Sequence, residues 1–383
     1  MSSDRQRSTV LHVITGLSIG GAEQALFNLL SGSSKDACES YVVSLIDVGD
    51  IGPRIEALGI KVFTLDMPRG RPTFGSILKL RRIVKVVKPT IIQGWMYHGN
   101  IAAVVAKIFS SDKCKLVWGV RQTLYDLANE KKLTRWVIKA NAMLSFLPDA
   151  LLYNSHLSKE QHQKVGFSSR FSQVIPNGID INRFCHNSLD RRSVREKLSI
   201  SDEAVVVGHV GRFHPMKGHA SFLKSIVDVM DIRKNLQVVM IGRDIVPANL
   251  ELSVLIPTAL ADRIHLLGEQ QDTSSWYSGF DIFCLSSQWG EGFPNVVGEA
   301  MACKVPAVVT DVGDSSRIVA DCGMSVPIGE RKSLCDAVLS MVDLSVDERV
   351  QMGRRARARI VGNYALPSIV SCYMNLYQQL DKK

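Results

Sequence analysis

The chain has 383 residues, of which 46% are hydrophobic and 22% are charged. These proportions are typical of globular proteins and exclude collagen-like, low-complexity and mostly disordered chains. At roughly 100–200 residues per domain, the length predicts two domains. No stretch approaches the ~18 consecutive apolar residues that a transmembrane helix needs, so no membrane span is expected.

The net charge of +9 arises in the first half of the chain. Residues 1–180 contain 23 Lys and Arg against 14 Asp and Glu, whereas residues 181–383 contain 23 of each kind. A basic first half favours an anionic partner, such as a membrane surface, a phosphorylated substrate or nucleic acid. Because no motif interleaves basic with aromatic residues, we expect no nucleic-acid partner.

The eight cysteines are spread along the chain, and no CxxC motif is present. This spacing fits neither a zinc site nor a thioredoxin-like motif. Free thiols are typical of a reducing compartment, which favours a cytoplasmic protein. Peripheral association with the inner face of the cytoplasmic membrane is a further hypothesis, based on the basic first half.

In the first half, short apolar runs alternate with segments whose apolar residues have helical spacing. Strands are predicted, in chain order, at Val10–Ile14, Tyr41–Leu45, Lys61–Leu65, Thr90–Gln93, Lys115–Val120 and Ala150–Tyr153. Residues Ala22, Leu26 and Leu29 illustrate the helical spacing between them. This alternation is the βαβ pattern of a parallel sheet covered by helices.

The second half repeats the pattern after a turn at Pro176-Asn177-Gly178. Strands are predicted at Ala204–Val210, Leu236–Ile241, Arg263–Leu267, Asp281–Leu285, Pro306–Thr310 and Met324–Val326. We therefore predict an α/β protein with an N-terminal domain over 1–178, a C-terminal domain over 179–362, and a C-terminal helix over 363–383 that can cross back to the first domain. Two doubly wound domains imply a cleft, with ligands beyond the carboxyl ends of the strands.

The first predicted strand leads into a glycine-rich turn that contains Gly20 and Gly21. Adjacent glycines allow a ligand to approach the backbone, and the helix N-terminus that follows favours an anion. The turn is not GxGxxG, which argues against a dinucleotide site. A plain tight turn is the alternative interpretation.

Two cations follow the first strand of the second half. Arg212 offers a planar fork and Lys217 a point charge, and together they can clamp a diphosphate. The alternative is a pair of solvated surface cations.

The segment Glu291-Gly292-Phe293-Pro294-Asn295 follows the strand Asp281–Leu285. Pro294 suits the first turn of a helix. On that interpretation, Glu291 and Glu299 lie two turns apart on one side and accept hydrogen bonds from hydroxyls of one extended ligand. The alternative is a capping acid and a surface acid.

Two further features lie in the first half. His98 opens a predicted helix after the fourth strand, where it could orient a hydroxyl or be a structural histidine. A basic amphipathic helix is predicted around residues 77–88. Its apolar stripe is Ile77, Leu80, Val84 and Val87, and its polar complement is Lys79, Arg81, Arg82, Lys85 and Lys88. Such a helix rests on anionic lipid or is simply solvated.

The absence of certain motifs also limits the function. The chain contains no Asp-x-Asp, so a nucleotide-sugar site here would lack the usual closely spaced carboxylate ligands for a metal. It contains no GxxxxGK[ST] motif, which argues against a P-loop NTPase.

Taken together, these motifs resemble the family 4 retaining glycosyltransferases, which have the GT-B architecture of two Rossmann-like domains facing a cleft. The resemblance covers the chain from Leu11 to about residue 362. It is carried by Gly20-Gly21-Ala22-Glu23, Ile175-Pro176-Asn177-Gly178, Gly211-Arg212, Lys217-Gly218, Glu291 to Asn295, Glu299-Ala300-Met301 and Thr310-Asp311-Val312-Gly313. Within this family, two further stretches resemble those of bacterial enzymes that build O-antigen, capsule or other surface polysaccharides. They are Trp95-Met96-Tyr97-His98 and Trp118-Gly119-Val120-Arg121.

The resemblance implies a role for each matching residue. The implied catalytic residues are Arg212, Lys217, Glu291 and His98. The implied donor-binding residues are Gly20, Gly21, Arg212, Lys217, Leu267, Gly268, Glu291, Gly292, Phe293, Asn295, Val296 and Glu299, and the implied acceptor-binding residues are His98 and Arg121. One departure is Lys304, which stands where the family usually has glycine.

The resemblance also implies the substrates. The donor is a UDP- or GDP-linked sugar, the acceptor is a lipid-linked saccharide, and neither a metal nor another cofactor is required. Two alternatives share the architecture: a sugar-nucleotide epimerase, and a non-catalytic protein that binds nucleotide sugars.

Overall fold

The computed structural model describes residues 7–34, 38–68, 71–125 and 131–382. The chain divides into two compact units. Unit 1 comprises residues 1–178 and 366–383, and unit 2 comprises residues 179–365.

Within the described ranges, unit 1 contains a seven-stranded parallel sheet in the order β3-β2-β1-β4-β5-β6-β7. Its strands are β1 (Ser8–Ile14), β2 (Cys38–Ser44), β3 (Lys61–Thr64), β4 (Ile91–Trp95), β5 (Lys115–Val120), β6 (Ala150–Tyr153) and β7 (Ser172–Val174). Because β1 and β4 are neighbours, the winding direction reverses between them, as in Rossmann-like sheets.

Helices cover both faces of this sheet. They are α1 (Gly21–Gly32), α2 (Ile51–Glu56), α3 (Phe74–Val87), α4 (Met96–Ile108), α5 (Lys132–Leu144), α6 (His156–Lys164) and, from the end of the chain, α15 (Leu366–Asp381). Buried side chains of α1, α2 and α15 share one hydrophobic core. Those of α3, α4 and α5 share another. The C-terminal helix therefore belongs to the packing of unit 1.

Unit 2 contains, in the described part of the chain, a six-stranded parallel sheet in the order β10-β9-β8-β11-β12-β13. Its strands are β8 (Val205–Val210), β9 (Leu236–Ile241), β10 (Ile264–Leu266), β11 (Ile282–Leu285), β12 (Ala307–Thr310) and β13 (Gly323–Val326). Its helices are α7 (Ser188–Lys197), α8 (His219–Ile232), α9 (Leu250–Ser253), α10 (Ser274–Ser278), α11 (Asn295–Ala302), α12 (Ser315–Val319), α13 (Arg331–Asp343) and α14 (Val346–Asn363). The winding reverses between β8 and β11.

Local sequence explains where many of these elements begin and why strands such as β8 are buried along their whole length. Thr73 and Ser345 begin α3 and α14 with capping boxes, in which side chains satisfy otherwise unpaired backbone N–H groups. Every residue of β8 is buried, as expected for a parallel strand covered on both faces. The predicted α/β class with two doubly wound domains is confirmed.

One strand was missing from the prediction. The edge strand β7 has three residues and no buried position. Its sequence therefore shows none of the apolar continuity by which the other strands were recognised. Its parallel pairing with β6 holds it in the sheet.

The predicted apolar stripe of α3 faces inward. Leu80 and Val84 are buried in the core under α3, while Arg81, Arg82 and Lys85 are exposed. Ile77, the first residue of the stripe, is 37% exposed, so only part of the stripe is used in packing against the sheet. Contact of the basic side of α3 with lipid or with solvent stays a prediction.

Lys304 has a φ of +63° at the end of α11. This is the left-handed backbone region that favours glycine at helix ends. The conformation explains why a glycine is expected at this position.

Among the described residues, no helix combines the length and the apolar character needed to cross a bilayer.

Candidate functional site

The reversal point of the unit 2 sheet brings two predicted motifs together. The loop after β8 carries Arg212 and Lys217, and the loop after β11 carries Glu291. Since β8 and β11 are hydrogen-bonded neighbours in a parallel sheet, both loops leave the same edge. This edge of a doubly wound sheet is where ligands bind in open α/β folds.

Lys217 and Glu291 contact each other directly. The Lys217 Nζ lies 2.5 Å from Glu291 Oε1, and both side chains are mostly buried. The Ser287 hydroxyl donates a second hydrogen bond of 2.7 Å to the same carboxylate oxygen. The three side chains therefore form a pre-ordered polar cluster.

The loops that carry this cluster are packed at backbone level. Ser286 Oγ donates to the carbonyl oxygen of Lys217 at 2.9 Å, and the buried His209 ring lies 3.1 Å from the same hydroxyl. Gly218 has a φ of +67°, and a Cβ there would lie 2.0 Å from the Ser286 carbonyl oxygen. Gly218 is thus required both by its conformation and by this close approach.

A second glycine, Gly313, is required beside the backbone of Glu291 and Gly292. Gly313 has a φ of +62°, and a Cβ there would lie 2.5 Å from the carbonyl oxygens of Glu291 and Gly292. The amide of Asp314 donates to the Gly292 carbonyl at 2.9 Å. The loop after β12 thereby supports the segment that carries Glu291.

Arg212 differs from Lys217 in its surroundings. Its side chain is exposed, and among the described residues its guanidinium has no hydrogen-bond or ion-pair partner. A guanidinium in this position can take an anionic ligand without first losing a protein contact.

The two glutamates occupy different environments, which corrects the prediction that they share one side of a helix. The helix α11 begins at Asn295 with Pro294 as its N-cap, so Glu291 lies in the preceding loop. Glu299 lies within α11 and accepts a 2.8 Å hydrogen bond from the Tyr277 hydroxyl. Burial raises the pKa of Glu299, although this hydrogen bond and Arg183 oppose the shift.

The start of α11 supplies backbone donors beside Glu291. Phe293 is buried and packs against Tyr364, with 5.3 Å between ring centroids. The helix α11 begins with Asn295 and Val296, so their backbone N–H groups lie at its N-terminus. They carry partial positive charge, which suits an anionic group of a ligand.

Leu267 and Gly268 follow β10 at the same edge of the sheet. Gly268 has a φ of +67°, and its carbonyl oxygen accepts from the amide of Gly242, which follows β9. The loops after four neighbouring strands, β10, β9, β8 and β11, therefore meet at one edge. The predicted donor-binding residues of unit 2 lie in these loops and in the adjoining α11.

In unit 1, Gly20 and Gly21 stand between β1 and α1. A Cβ at Gly20 would lie 2.4 Å from a carboxylate oxygen of Glu23, whereas a Cβ at Gly21 would meet nothing within 4 Å. Burial raises the pKa of Glu23. The open backbone at Gly21 allows a ligand to approach.

His98 lies in the first turn of α4, at the other side of the reversal point of unit 1. It follows Met96, whose φ of +62° is rare for a residue with a side chain. The imidazole is exposed, and partial desolvation lowers its pKa. A neutral imidazole can either donate or accept a hydrogen bond.

The predicted acceptor residue Arg121 is engaged in packing. Its guanidinium donates to the Tyr373 hydroxyl at 2.8 Å and to the Asn177 side chain, and it lies 5.3 Å from the centroid of the Trp95 ring. This arrangement favours a structural role in holding α15. An acceptor contact stays a prediction.

Sequence reasoning missed the side chains that support the site. Ser286, Ser287, His209 and Tyr277 each contact the loops or carboxylates described above. Polar residues directly after an apolar strand were the available signal for the two serines. The roles of His209 and Tyr277 depend on tertiary contacts.

Two family models match the chain. The model described as "Glycosyltransferase Family 4" matches residues 19–183, and the one described as "Glycosyl transferases group 1" matches residues 204–343. Each matched range covers most of one unit.

Relatives of the chain include two bacterial proteins. The lipopolysaccharide core biosynthesis mannosyltransferase LpsB of Rhizobium meliloti is 29% identical over 218 residues, which span 54% of this chain and 60% of LpsB. The putative glycosyltransferase EpsF of Bacillus subtilis is 24% identical over 322 residues, or 81% of this chain and 80% of EpsF.

Solved structures share the fold. HepE of Anabaena in complex with UDP has a TM-score of 0.83 at 19% identity, and the match covers 97% of this chain and all of that one. WaaG, a glycosyltransferase involved in lipopolysaccharide biosynthesis, has a TM-score of 0.69 at 14% identity, covering 96% of this chain and 99% of WaaG.

Proposed function

This chain belongs to the family 4 glycosyltransferases, and from that premise we propose that it transfers a sugar from a nucleoside-diphosphate sugar to a saccharide acceptor in surface-polysaccharide biosynthesis. The reaction proceeds with retention of configuration and without a metal ion. The acceptor is lipid-linked. The relatives described above are named as a mannosyltransferase and a putative glycosyltransferase, and neither supports the epimerase alternative.

The observation that carries the proposal is the Lys217–Glu291 cluster at the reversal point of the unit 2 sheet, with Arg212 in the same loop as Lys217. An ammonium group has three donors, and Glu291 uses one of them. The other two, together with the Arg212 fork, can hold the oxygens of a diphosphate. In this proposal, the Glu291 carboxylate accepts hydrogen bonds from hydroxyls of the donor sugar.

The same residues account for catalysis. As the bond between sugar and phosphate breaks, negative charge grows on the leaving diphosphate. Arg212, Lys217 and the N-terminus of α11 stabilise this charge most strongly when it is largest, which lowers the barrier. The acceptor hydroxyl attacks from the side of the leaving group, and the departing phosphate oxygen takes its proton.

The experiment is a thermal-shift panel of UDP- and GDP-linked sugars, with and without EDTA. A ligand present at 100 times its Kd stabilises the folded state by about 2.7 kcal/mol, which a melting curve resolves. We expect one nucleotide sugar to raise Tm equally with and without EDTA. We also expect Lys217→Ala to lose the shift.

Two results would contradict the proposal. A shift that EDTA abolishes would reject the metal-free site. No shift with any nucleotide sugar, together with no transfer of radiolabelled sugar to lipid extracts, would reject the donor site itself.

A further inference from the structure

The helix α5 exposes an apolar strip that no contact among the described residues of unit 1 explains. Leu133, Trp136 and Met143 are 64%, 72% and 76% exposed, and Phe146, just past the helix, is 67% exposed. Residues three, four or seven apart lie on one side of a helix, so the first three form a continuous strip. Exposed apolar strips of this kind mark interaction surfaces.

The core-facing side of α5 is already occupied by other residues. Ile138 is buried in the core shared with α3 and α4, and the buried Asn141 donates to the carbonyl oxygen of Tyr97 at 3.1 Å. The exposed strip therefore lies on the side that packing against the sheet leaves uncovered. Packing in the core therefore does not explain why Trp and Met side chains recur at helical spacing on this surface.

Charge around the strip indicates what covers it. Residues 131–148 contain Lys131, Lys132, Arg135 and Lys139, and no Asp or Glu. The Lys139 Nζ lies 6.0 Å from the centroid of the Trp136 ring. A second copy of the same surface would bring like charges together, whereas an anionic lipid surface complements them.

The neighbouring helices extend the basic surface. The helix α4 packs against both α3 and α5, and all three contribute to one core on the same face of the sheet. The exposed cations Arg81, Arg82 and Lys85 of α3 thus belong to the same helical layer as the α5 strip. Apolar side chains flanked by cations are the composition of helices that lie in a membrane interface.

We propose that α5 is the element by which the protein docks on an anionic bilayer, with Leu133, Trp136, Met143 and Phe146 entering the interface and the basic residues of α5 and α3 contacting lipid headgroups. The Asn141 contact joins α5 to the turn that carries His98. Docking through α5 would therefore hold this end of unit 1 near lipid-linked molecules.

This inference goes beyond the proposed reaction, because vesicle binding is measured without donor or acceptor. The probe is a set of vesicles of phosphatidylcholine with about one third phosphatidylglycerol, compared with pure phosphatidylcholine vesicles. We expect co-sedimentation with the anionic vesicles at about 0.1 M salt and much less at about 1 M, where screening is strong.

Paired variants locate the surface. The double variant Trp136→Ser with Phe146→Ser should weaken vesicle binding at least about tenfold, because both substitutions remove apolar area that the membrane interface would bury. Its matched control is Leu250→Ser with Val254→Ser, which replaces two residues that are 80% and 79% exposed beside Glu251 in unit 2.

Charge variants test the electrostatic part. Lys132→Glu with Lys139→Glu should also reduce binding at least about tenfold, because each basic residue near an anionic surface contributes to attraction. Arg354→Glu with Arg355→Glu, two exposed cations of α14 in unit 2, is the control and should bind as the unaltered protein does.

Three outcomes would overturn the inference. Full binding by the Trp136→Ser/Phe146→Ser variant would exclude α5, and equal binding to neutral vesicles would exclude anionic lipid. A dimer in sedimentation that this variant dissociates would assign the strip to a second copy. A donor-induced thermal shift that persists in any of these cases keeps the proposed reaction separate from docking.

Discussion

At the residue scale, the ion pair between Lys217 and Glu291 links the two loops that meet at the edge of the unit 2 sheet. Each partner would be a mostly buried charge without the other. Removing one partner of such a pair leaves the other poorly compensated. The pair therefore contributes to the order of the site as well as to ligand binding.

We expect Lys217→Ala to reduce turnover by roughly 10²–10³-fold, the usual effect of removing one group that stabilises developing charge. Initial rates with the donor identified by thermal shift provide the measurement. Lys224→Ala, which removes an exposed lysine of α8, is the control and should retain activity. Unaltered turnover in Lys217→Ala would remove Lys217 from the catalytic group.

Glu291→Gln should weaken donor use, because a hydrogen bond to a charged group contributes about 1.5–3 kcal/mol. Since Lys217 and Glu291 are in contact, the effects of Lys217→Ala and Glu291→Gln on kcat/KM should not be additive. A double-mutant cycle measures this coupling. Additive effects would mean that the two residues act independently.

At the element scale, the turn between β8 and α8 depends on a residue without a side chain. Gly218 caps both the short 3₁₀ turn Pro215–Lys217 and the start of α8, in the left-handed conformation. The Ser286 carbonyl occupies the space that a Cβ would need. The left-handed turn and the close packing of the Ser286 loop therefore both require the glycine that the sequence has at this position.

Gly218→Ala should lower both stability and activity, because the added Cβ separates the Ser286 loop from Lys217 and the left-handed backbone adds strain of order 1–3 kcal/mol. Urea unfolding and initial rates measure the two effects. Gly362→Ala is the matched control, since a Cβ there meets nothing within 4 Å. If both variants behaved alike, the packing role of Gly218 would be wrong.

At the end of α11, a residue with a side chain, Lys304, occupies a backbone conformation that favours glycine. Lys304 adopts a φ of +63° that costs a residue with a side chain roughly 1 kcal/mol compared with glycine. We therefore expect Lys304→Gly to raise the free energy of unfolding by about that amount. A decrease would show that the lysine side chain makes a stabilising contribution that outweighs the backbone strain.

At the scale of the whole molecule, both units bury neutral histidines. Burial lowers the pKa of His162 in unit 1 and of His219 in unit 2 to about 4, and that of His12 to about 3. The pKa of His209 is lowered well below its ordinary value by burial, with smaller contributions from His219 and Lys217. Each of these rings binds a proton more readily in the unfolded chain than in the folded one.

The contribution of these neutral rings to the free energy of unfolding should therefore be complete above about pH 6.5, the ordinary pKa of histidine. It should fall as the pH drops towards 4. At about 1.4 kcal/mol per pH unit for each ring, His162 alone would contribute a loss of roughly 3 kcal/mol over this range. Urea unfolding between pH 7 and pH 4 measures it. His162→Gln should reduce the slope, and an unchanged slope would contradict the assignment.

Much of the fold follows from the sequence because parallel strands are buried on both faces and read as continuous apolar runs. In the described part of the chain, twelve strands, including Lys115–Val120 and Leu236–Ile241, appear where those runs predicted them, within a few residues at their ends. The edge strand β7 was invisible because its side chains are not buried. The motifs that follow the strands could also be recognised in the sequence, because glycine, proline and charged residues interrupt the apolar runs.

What the sequence determined by itself was the α/β class, the two doubly wound units and the residues at the strand ends, because burial and turn geometry restrict residue type locally. Only the tertiary structure decided that Lys217 pairs with Glu291, that Arg121 contacts α15 and that α5 exposes an apolar strip. These contacts join residues far apart in the chain, such as Arg121 and Tyr373. Periodicity identifies an apolar side of a helix but does not decide which side the rest of the protein covers.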